Sequence, residues 1–284
     1  MVRLILLGTG SPRPRPQRTG SAYLVALDKA TLMFDCGPGA TFQIVRASFS
    51  PASVGYLFFT HHHFDHNSDY GFFTLCRWQE GAGKAKTLEV YGPRGTARIT
   101  DLLFSKDGVY ADDIAGRLNA PGSVHIYRKK GGVFPRPQPQ PEVTELSPGA
   151  EVRGDGWKVT TAEAHHSQPY LDSLAYRLET PERTIVFSGD TTPCESVASL
   201  AAGAHTLVYC AHDLEQNIRG TPLEGFTSST LGAARVAQQA GVQKLVLTHI
   251  GDAMDAPGAM DRELALAHEV FPGPIIVGQD LMEV

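Results

Sequence analysis

The chain has 284 residues, 42% of them hydrophobic and 19% charged, with 25 Lys+Arg against 30 Asp+Glu for a net charge of −5. That length suits one large α/β domain or two small ones, and the composition excludes wholesale disorder. No apolar run approaches the roughly 18–20 residues of a membrane helix.

The opening Met1-Val2-Arg3 leads into Leu4–Leu7 and stops at Gly8, too short for a signal-peptide core, so it reads as a strand and the expected compartment is the cytoplasm. Charge is uneven. Residues 1–142 hold 17 Lys+Arg and 11 Asp+Glu, whereas 143–284 hold 8 and 19. A nucleic-acid binder normally shows a dominant basic face. Only short basic clusters occur here, Arg13/Arg15/Arg18 and Arg128-Lys129-Lys130, which suit a small anionic substrate better than a polyanion. The four cysteines, Cys36, Cys76, Cys194 and Cys210, are widely spaced with no CxxC pair, and read as buried reduced thiols.

In chain order, strand 2–8 is followed by a loop rich in Gly, Pro and Arg from Gly8 to Gly20. Strands 21–27 and 31–35 come next, the second ending in the turn Cys36-Gly37-Pro38-Gly39. A helix is expected near 41–47 and a buried strand at 55–60. Asn67-Ser68-Asp69 is placed to cap a helix that carries Tyr70, Phe73, Cys76, Arg77 and the packing residue Trp78, and stops near Gly81-Ala82-Gly83. Prolines at alternate positions in 135–141 enforce an extended segment, either a surface connection or an arm over a site. That segment separates two pseudo-halves, about 1–142 and 143–284, of what reads as one domain over 1–284, with 105–140 a candidate substrate loop.

In the second half, 157–162, 174–178, 184–188, 207–209, 244–248 and 275–277 read as strands. Helices are expected at 229–240, capped by Ser228 and stopped by Gly241, and at 261–270. Strand, loop and helix alternate in both halves, which implies a layered α/β fold.

The strongest chemical signal is Thr60-His61-His62-His63-Phe64-Asp65-His66-Asn67, read as HxHxDH where a buried strand ends. His61 and His63 alternate along an extended chain and so share a side. Asp65 and His66 then come from the turn that starts a helix. Imidazole and carboxylate donors suit zinc, and several converging donors suit two ions. A merely soluble histidine-rich loop is the blander explanation. It is disfavoured by His165-His166, Asp190 and His249, each just past a predicted strand end, where α/β sheets place their sites.

This ordered set resembles the metallo-β-lactamase superfamily: HxHxDH, a lone His, Asp in Ser188-Gly189-Asp190-Thr191, and a final His after a strand. Leu32-Met33-Phe34-Asp35-Cys36-Gly37 is similar to the family's early aspartate motif. Within the superfamily it looks most like the ribonuclease Z and alkyl/arylsulfatase-type branch, on Leu7-Gly8-Thr9-Gly10, Leu174-Ala175-Tyr176-Arg177 and Leu245–His249. The resemblance implies a four-layer αβ/βα sandwich of two mixed sheets flanked by helices, and it suggests a homodimer. It implies one metal held by His61, His63 and His166, a second by Asp65, His66 and His249, and Asp190 bridging them. His165 rivals His166, which the spacing to the Ala-Tyr-Arg strand favours. Asp35 would orient ligands from behind. Two zinc ions are the expected cofactors, though manganese or iron suits the same ligands. They would acidify a shared water for attack on phosphorus, sulfur or an acyl carbon, with Asp65 taking or orienting its proton.

One departure stands out. Ribonuclease Z-like enzymes carry a proton-donating histidine before the helix that precedes the last ligand, but Gly225–Leu231 contains none. His212 is the nearest substitute, either in the site or merely hydrogen-bonded. Arg18 and Tyr170, with its neighbours Leu171 and Asp172, are candidate substrate contacts. Arg128-Lys129-Lys130 before Gly131-Gly132 reads as an exposed turn or a loop hinge. His62, His125, His205 and His268 read as non-ligands. The leading expectation is therefore a dinuclear zinc hydrolase acting on a small, anionic ester-type molecule: a phosphodiester, sulfate ester, lactone or cyclic amide. The alternatives are a tRNA 3′-end endonuclease and a non-hydrolytic di-iron protein.

Overall fold

The computed structural model describes residues 1–284. The first sheet begins with β1 (Arg3–Gly8), β2 (Ala22–Ala26) and β3 (Thr31–Phe34), and α1 (Ala40–Arg46) follows. Then come β4 (Tyr56–Phe58), α2 (Phe64–Asn67), α3 (Tyr70–Gly81), β5 (Glu89–Gly92), α4 (Thr96–Phe104), α5 (Ala111–Asn119), α6 (Pro121–Lys129) and β6 (Glu142–Glu145). The second sheet opens with β7 (Glu151–Gly154), β8 (Trp157–Glu163), β9 (Leu174–Glu179) and β10 (Thr184–Phe187). It continues through α7 (Glu195–Leu200), β11 (Thr206–Cys210), α8 (Glu215–Ile218), α9 (Thr230–Ala240), β12 (Leu245–Thr248), α10 (Ala259–Val270) and β13 (Ile275–Val277). Last, β14 (Met282–Glu283) returns to pair with β1.

Each sheet has seven strands, ordered β14-β1-β2-β3-β4-β5-β6 and β13-β12-β11-β10-β9-β8-β7. Both start with antiparallel hairpin pairings and continue with parallel crossovers, from β3 onward in one and β10 onward in the other. Side-chain alternation explains the layering. In β1, Leu4 and Leu6 face the seam between the sheets, while Ile5 and Leu7 face the helices. Strands covered on both faces are apolar on both, hence the run Leu4–Leu7. The central seam joins Phe34 and Phe58 to Tyr176 and Phe187, with Phe34 stacked on Phe187 at 4.1 Å across the two sheets. α1, α3, α4 and α5 cover the outer face of the first sheet, and α7, α9 and α10 that of the second. The four-layer αβ/βα architecture is as expected.

Two capping expectations need correction. Helix α9 starts one residue later than predicted, so Ser229, not Ser228, is its cap and accepts from the Gly232 N–H at 3.0 Å. Asp69 makes no capping bond to α3. Its Oδ2 instead accepts from the Thr41 N–H and hydroxyl, both at 2.6 Å, and so satisfies the first turn of α1. The proline-rich segment is extended, and it is strapped down: Arg136 lies 3.6 Å over the Trp78 ring, whose Nε1 donates to the Pro137 carbonyl at 2.7 Å. Within 105–140 the chain forms α5 and α6 and then this strap. No helix is long and apolar enough to cross a membrane.

Because Phe34 sits fully buried at the centre of the inter-sheet seam, Phe34→Ala is expected to cost about 3–5 kcal/mol. A lowered urea midpoint with an unchanged slope would show it.

Candidate metal centre

The converging residues all stand at carboxyl ends of strands or in the turns just beyond them. β4 ends at Phe58, and the chain runs extended through His61 and His63 before α2 presents Asp65 and His66. His166 follows β8, Asp190 follows β10 and His249 follows β12. Both sheets therefore feed one rim.

Two donor sets form there. His61, His63, His166 and Asp190 make one; Asp65, His66 and His249 make the other. Within each set the nearest ligand atoms all lie within 4.8 Å of one another. His63 Nδ1 is 3.1 Å from His61 Nε2 and 3.0 Å from His166 Nε2. Asp190 Oδ2 reaches towards both sets, at 3.9 Å from His61, 3.8 Å from His166 and 3.1 Å from His249 Nε2. Its Oδ1 lies 3.5 Å from His66 Nε2. Asp65 Oδ2 is 3.1 Å from His249 Nε2 and 3.6 Å from His66 Nε2. Asp190 Oδ2 thus lies between the two sets, and its Oδ1 lies on the His66 side of the second.

A second layer of hydrogen bonds aims the rings. Asp35 accepts from the Thr60 N–H at 2.7 Å, the Thr60 hydroxyl at 2.9 Å and His66 Nδ1 at 2.8 Å, which leaves His66 Nε2 facing the cluster. Thr60 Oγ1 also meets His61 Nδ1 at 3.0 Å. His166 Nδ1 donates to the Phe226 carbonyl at 2.6 Å. Outer partners of this kind fix the tautomer of a metal-binding imidazole. Thr60 and the Phe226 carbonyl escaped the sequence reading. Thr60 adjoins the motif and was within reach; a main-chain carbonyl carries no residue signal.

The site is built to hold positive charge. Asp65 Oδ1, His66 Nε2 and Asp190 Oδ1 are buried with no hydrogen-bond partner, an arrangement that interiors avoid unless another group completes it. Burial works to raise the Asp190 carboxyl, yet His249 and His66 hold it well below the usual carboxylate range. Asp65 is lowered too, since the bond from His249 and the nearness of His66 outweigh its burial. Burial, seconded by His66, pushes the His61 imidazole well below its ordinary value. Ionised carboxylates and neutral imidazole are the metal-binding forms. His66 departs from them: against its burial, Asp190 and Asp35 hold its imidazole well above the ordinary value. All-N/O donors of this kind suit zinc, manganese or iron.

Of the paired histidines, His166 enters the cluster and His165 does not. The His165 ring is half exposed, its nearest acidic neighbour being Glu163 at 4.0 Å. His62 turns away to Thr96 Oγ1 at 2.9 Å. His125, His205 and His268 are exposed elsewhere. The His212 ring lies 5.2 Å from that of His249, with Nδ1 buried and unpartnered. Arg18 is engaged: it donates to Thr9 Oγ1 and the Gly278 carbonyl, both at 2.6 Å, and so ties the first loop to the C-terminal segment. It also borders an open polar cavity of about 590 Å³ with Arg15, Gln17, Asp255, Gln279 and Asp280. Tyr170 is 86% exposed on the turn after His166.

Comparison with known proteins agrees with this geometry. A sequence profile described as "Beta-lactamase superfamily domain" matches residues 30–250. The ribonuclease Z of Mycobacterium sp. (strain KMS) is 33% identical over 292 residues, spanning 100% of this chain and 96% of the relative. That of Mycobacterium bovis (strain BCG / Pasteur 1173P2) is 31% identical over 290 residues, spanning 100% and 98%. Among solved structures, the metallo-β-lactamase fold protein YhfI from Bacillus subtilis superposes with a TM-score of 0.75 at 18% identity, covering 100% of this chain and 98% of that one. The short form of human tRNase Z gives 0.68 at 18% identity, again covering 100% and 98%. At such identities these structures establish the fold. Of the two branches that the motifs resemble, the relatives support ribonuclease Z.

Two outcomes are expected. Asp35→Ala should weaken metal affinity by about 10–100-fold, as measured by competition with a chromophoric chelator. His166→Ala should lower bound metal per chain in elemental analysis, whereas His165→Ala should leave it unchanged.

Proposed function

The chain belongs to the β-lactamase superfamily and is a metal-dependent hydrolase of that fold; on that footing we propose that it cuts phosphodiester bonds in RNA, at the 3′ end of precursor tRNA. The observation that carries this reading is the end-to-end match to ribonuclease Z at 33% identity, on a chain whose seven converging side chains span both sheets.

Two divalent ions at these donor sets would supply Lewis acidity, lowering the pKa of water and stabilising charge on the attacking and leaving oxygens of an in-line displacement. The protein's own groups do the rest. Asp65 Oδ2 faces His249 while Oδ1 has no hydrogen-bond partner, which supports a role for this carboxylate in taking or orienting the proton of the attacking water. Asp35 and Thr60 hold His61 and His66 against rotation, which fixes the reacting geometry before substrate arrives. His212 is the half-buried imidazole outside the donor sets that lies beside His249, and it is the candidate donor to the leaving oxygen.

A second reading, closer to the small anionic ester expected from sequence, is favoured by one observation. The stretch 225–231 carries no imidazole; Thr227, Ser228, Ser229 and Thr230 are buried there, and Ser229 is spent on capping α9. A small nucleotide diester with a good leaving group needs no such donor.

One assay separates the two. Metal-loaded and chelated protein are given a precursor tRNA and a small nucleotide diester side by side. Metal-dependent trimming of the tRNA, abolished in Asp190→Ala, is the expected result. Cleavage of the small diester alone would favour the second reading, and cleavage of neither would overturn both. His212→Ala should slow diesters with poor leaving groups more than those with good ones; equal slowing would remove His212 as the proton donor.

A further inference from the structure

Three exposed aromatic side chains stand around the donor sets, Phe64 at the start of α2 and Tyr170 and Phe226 on loops. Phe226 is the one in contact with a converging residue. Its ring centroid lies 4.3 Å from that of His166, inclined at 43°, while 38% of the residue stays open to solvent. Its backbone and side chain have separate tasks. The carbonyl fixes His166 Nδ1, and the ring rests against the imidazole with part of its surface uncovered. The turn beneath is braced: the N–H groups of Phe226 and Thr227 both donate to the Leu223 carbonyl, at 2.9 and 3.0 Å, and Thr192 Oγ1 donates to the Glu224 carbonyl at 2.6 Å. The ring is therefore held in place beside a polar, charged centre. Leaving apolar surface in water there is unfavourable unless something apolar covers it.

We propose that the Phe226 ring is a stacking platform for the nucleobase of a nucleotide whose phosphate lies at the donor sets. This rests on the phosphodiester reading above and adds a base subsite to it. A phosphate facing His63, His166 and Asp190 keeps its own nucleoside within one nucleotide's length of the ring. Every base has a π-face, so stacking contributes about 1–3 kcal/mol without demanding a sequence. The platform also occupies the segment 225–231, where the imidazole is missing. The base belongs either to an RNA chain or to a small nucleotide; the ring meets the same chemistry in both.

The test uses the fluorescence of 2-aminopurine, which is quenched when the base stacks. Metal-loaded full-length protein is mixed in a stopped-flow cell with two probes: an acceptor-stem RNA hairpin carrying 2-aminopurine beside the cleavage position, and a dinucleotide carrying the same base. Rapid quenching is expected with wild type and with Phe226→Tyr, whereas Phe226→Ala should lose it and bind about fivefold or more weakly. Metal content should be unchanged in Phe226→Ala, because the carbonyl to His166 remains. Quenching of the hairpin alone assigns the base to RNA, and quenching of both probes assigns it to any nucleotide. Wild-type quenching without cleavage of either probe would keep the platform and discard the cleavage reading. Undiminished quenching in Phe226→Ala would overturn the proposal. So would its loss together with the metal, which would make the ring a support for His166, or the absence of quenching in wild type.

Discussion

The carboxylate of Asp35 is the contact on which the centre depends. Fully buried, it accepts from the backbone and hydroxyl of Thr60 and from His66. It thereby joins the end of β3 to both ends of the histidine loop. Two backbone bonds run in parallel with it, from Cys36 N–H to the His66 carbonyl and from Asp69 N–H to the Cys36 carbonyl. Burial raises the Asp35 carboxyl against the opposing pull of His66 and Thr60. The group is thus costly to enclose and retained for what it positions, as is usual for buried polar networks that are fully satisfied.

The backbone shows a parallel cost. Asp35, Ser167 and His249 adopt positive φ of 57°, 61° and 53° although none is glycine. Each is in, or next to, the centre. Such conformations cost of order 1–3 kcal/mol apiece and persist where surroundings over-determine them. Asp and His are among the residues that tolerate the left-handed region best. Three of the six non-glycine residues with positive φ thus lie at the centre, Ser48, Ala82 and Leu281 being the others, while the seam of Phe34, Phe58, Tyr176 and Phe187 supplies opposing stabilisation.

Much of this was legible in the chain. The strands buried on both faces, such as Leu4–Leu7 and Leu245–Thr248, announce themselves as apolar runs, and the converging residues follow them in a recognisable order. Of the edge strands, β13 was legible at 275–277, but β6 and β7 were not. β6 and β7 carry Glu142, Glu145, Glu151 and Arg153, charges that protect an open edge and erase the apolar signal. Helices α5 and α6 bury little beyond Ile114 and Tyr127, so their period is faint. Arg18 looked free for a substrate because sequence cannot show Thr9 and the Gly278 carbonyl closing around it. The substrate was the weakest inference: uneven charge argued for a small anion, whereas the relatives along the whole length are ribonucleases.

Neither half of the chain owns a complete donor set. His61 and His63 meet His166 and Asp190 from the other sheet, and Asp65 and His66 meet His249 likewise. An ion bound here is consequently a fastener between two layers as well as a reagent. By linkage, a ligand that only the assembled sandwich can bind adds about 2.7 kcal/mol at a hundred times its dissociation constant. That increment falls on the docking of one sheet against the other. Catalytic competence and the cohesion of the two halves are thereby coupled through the same few atoms.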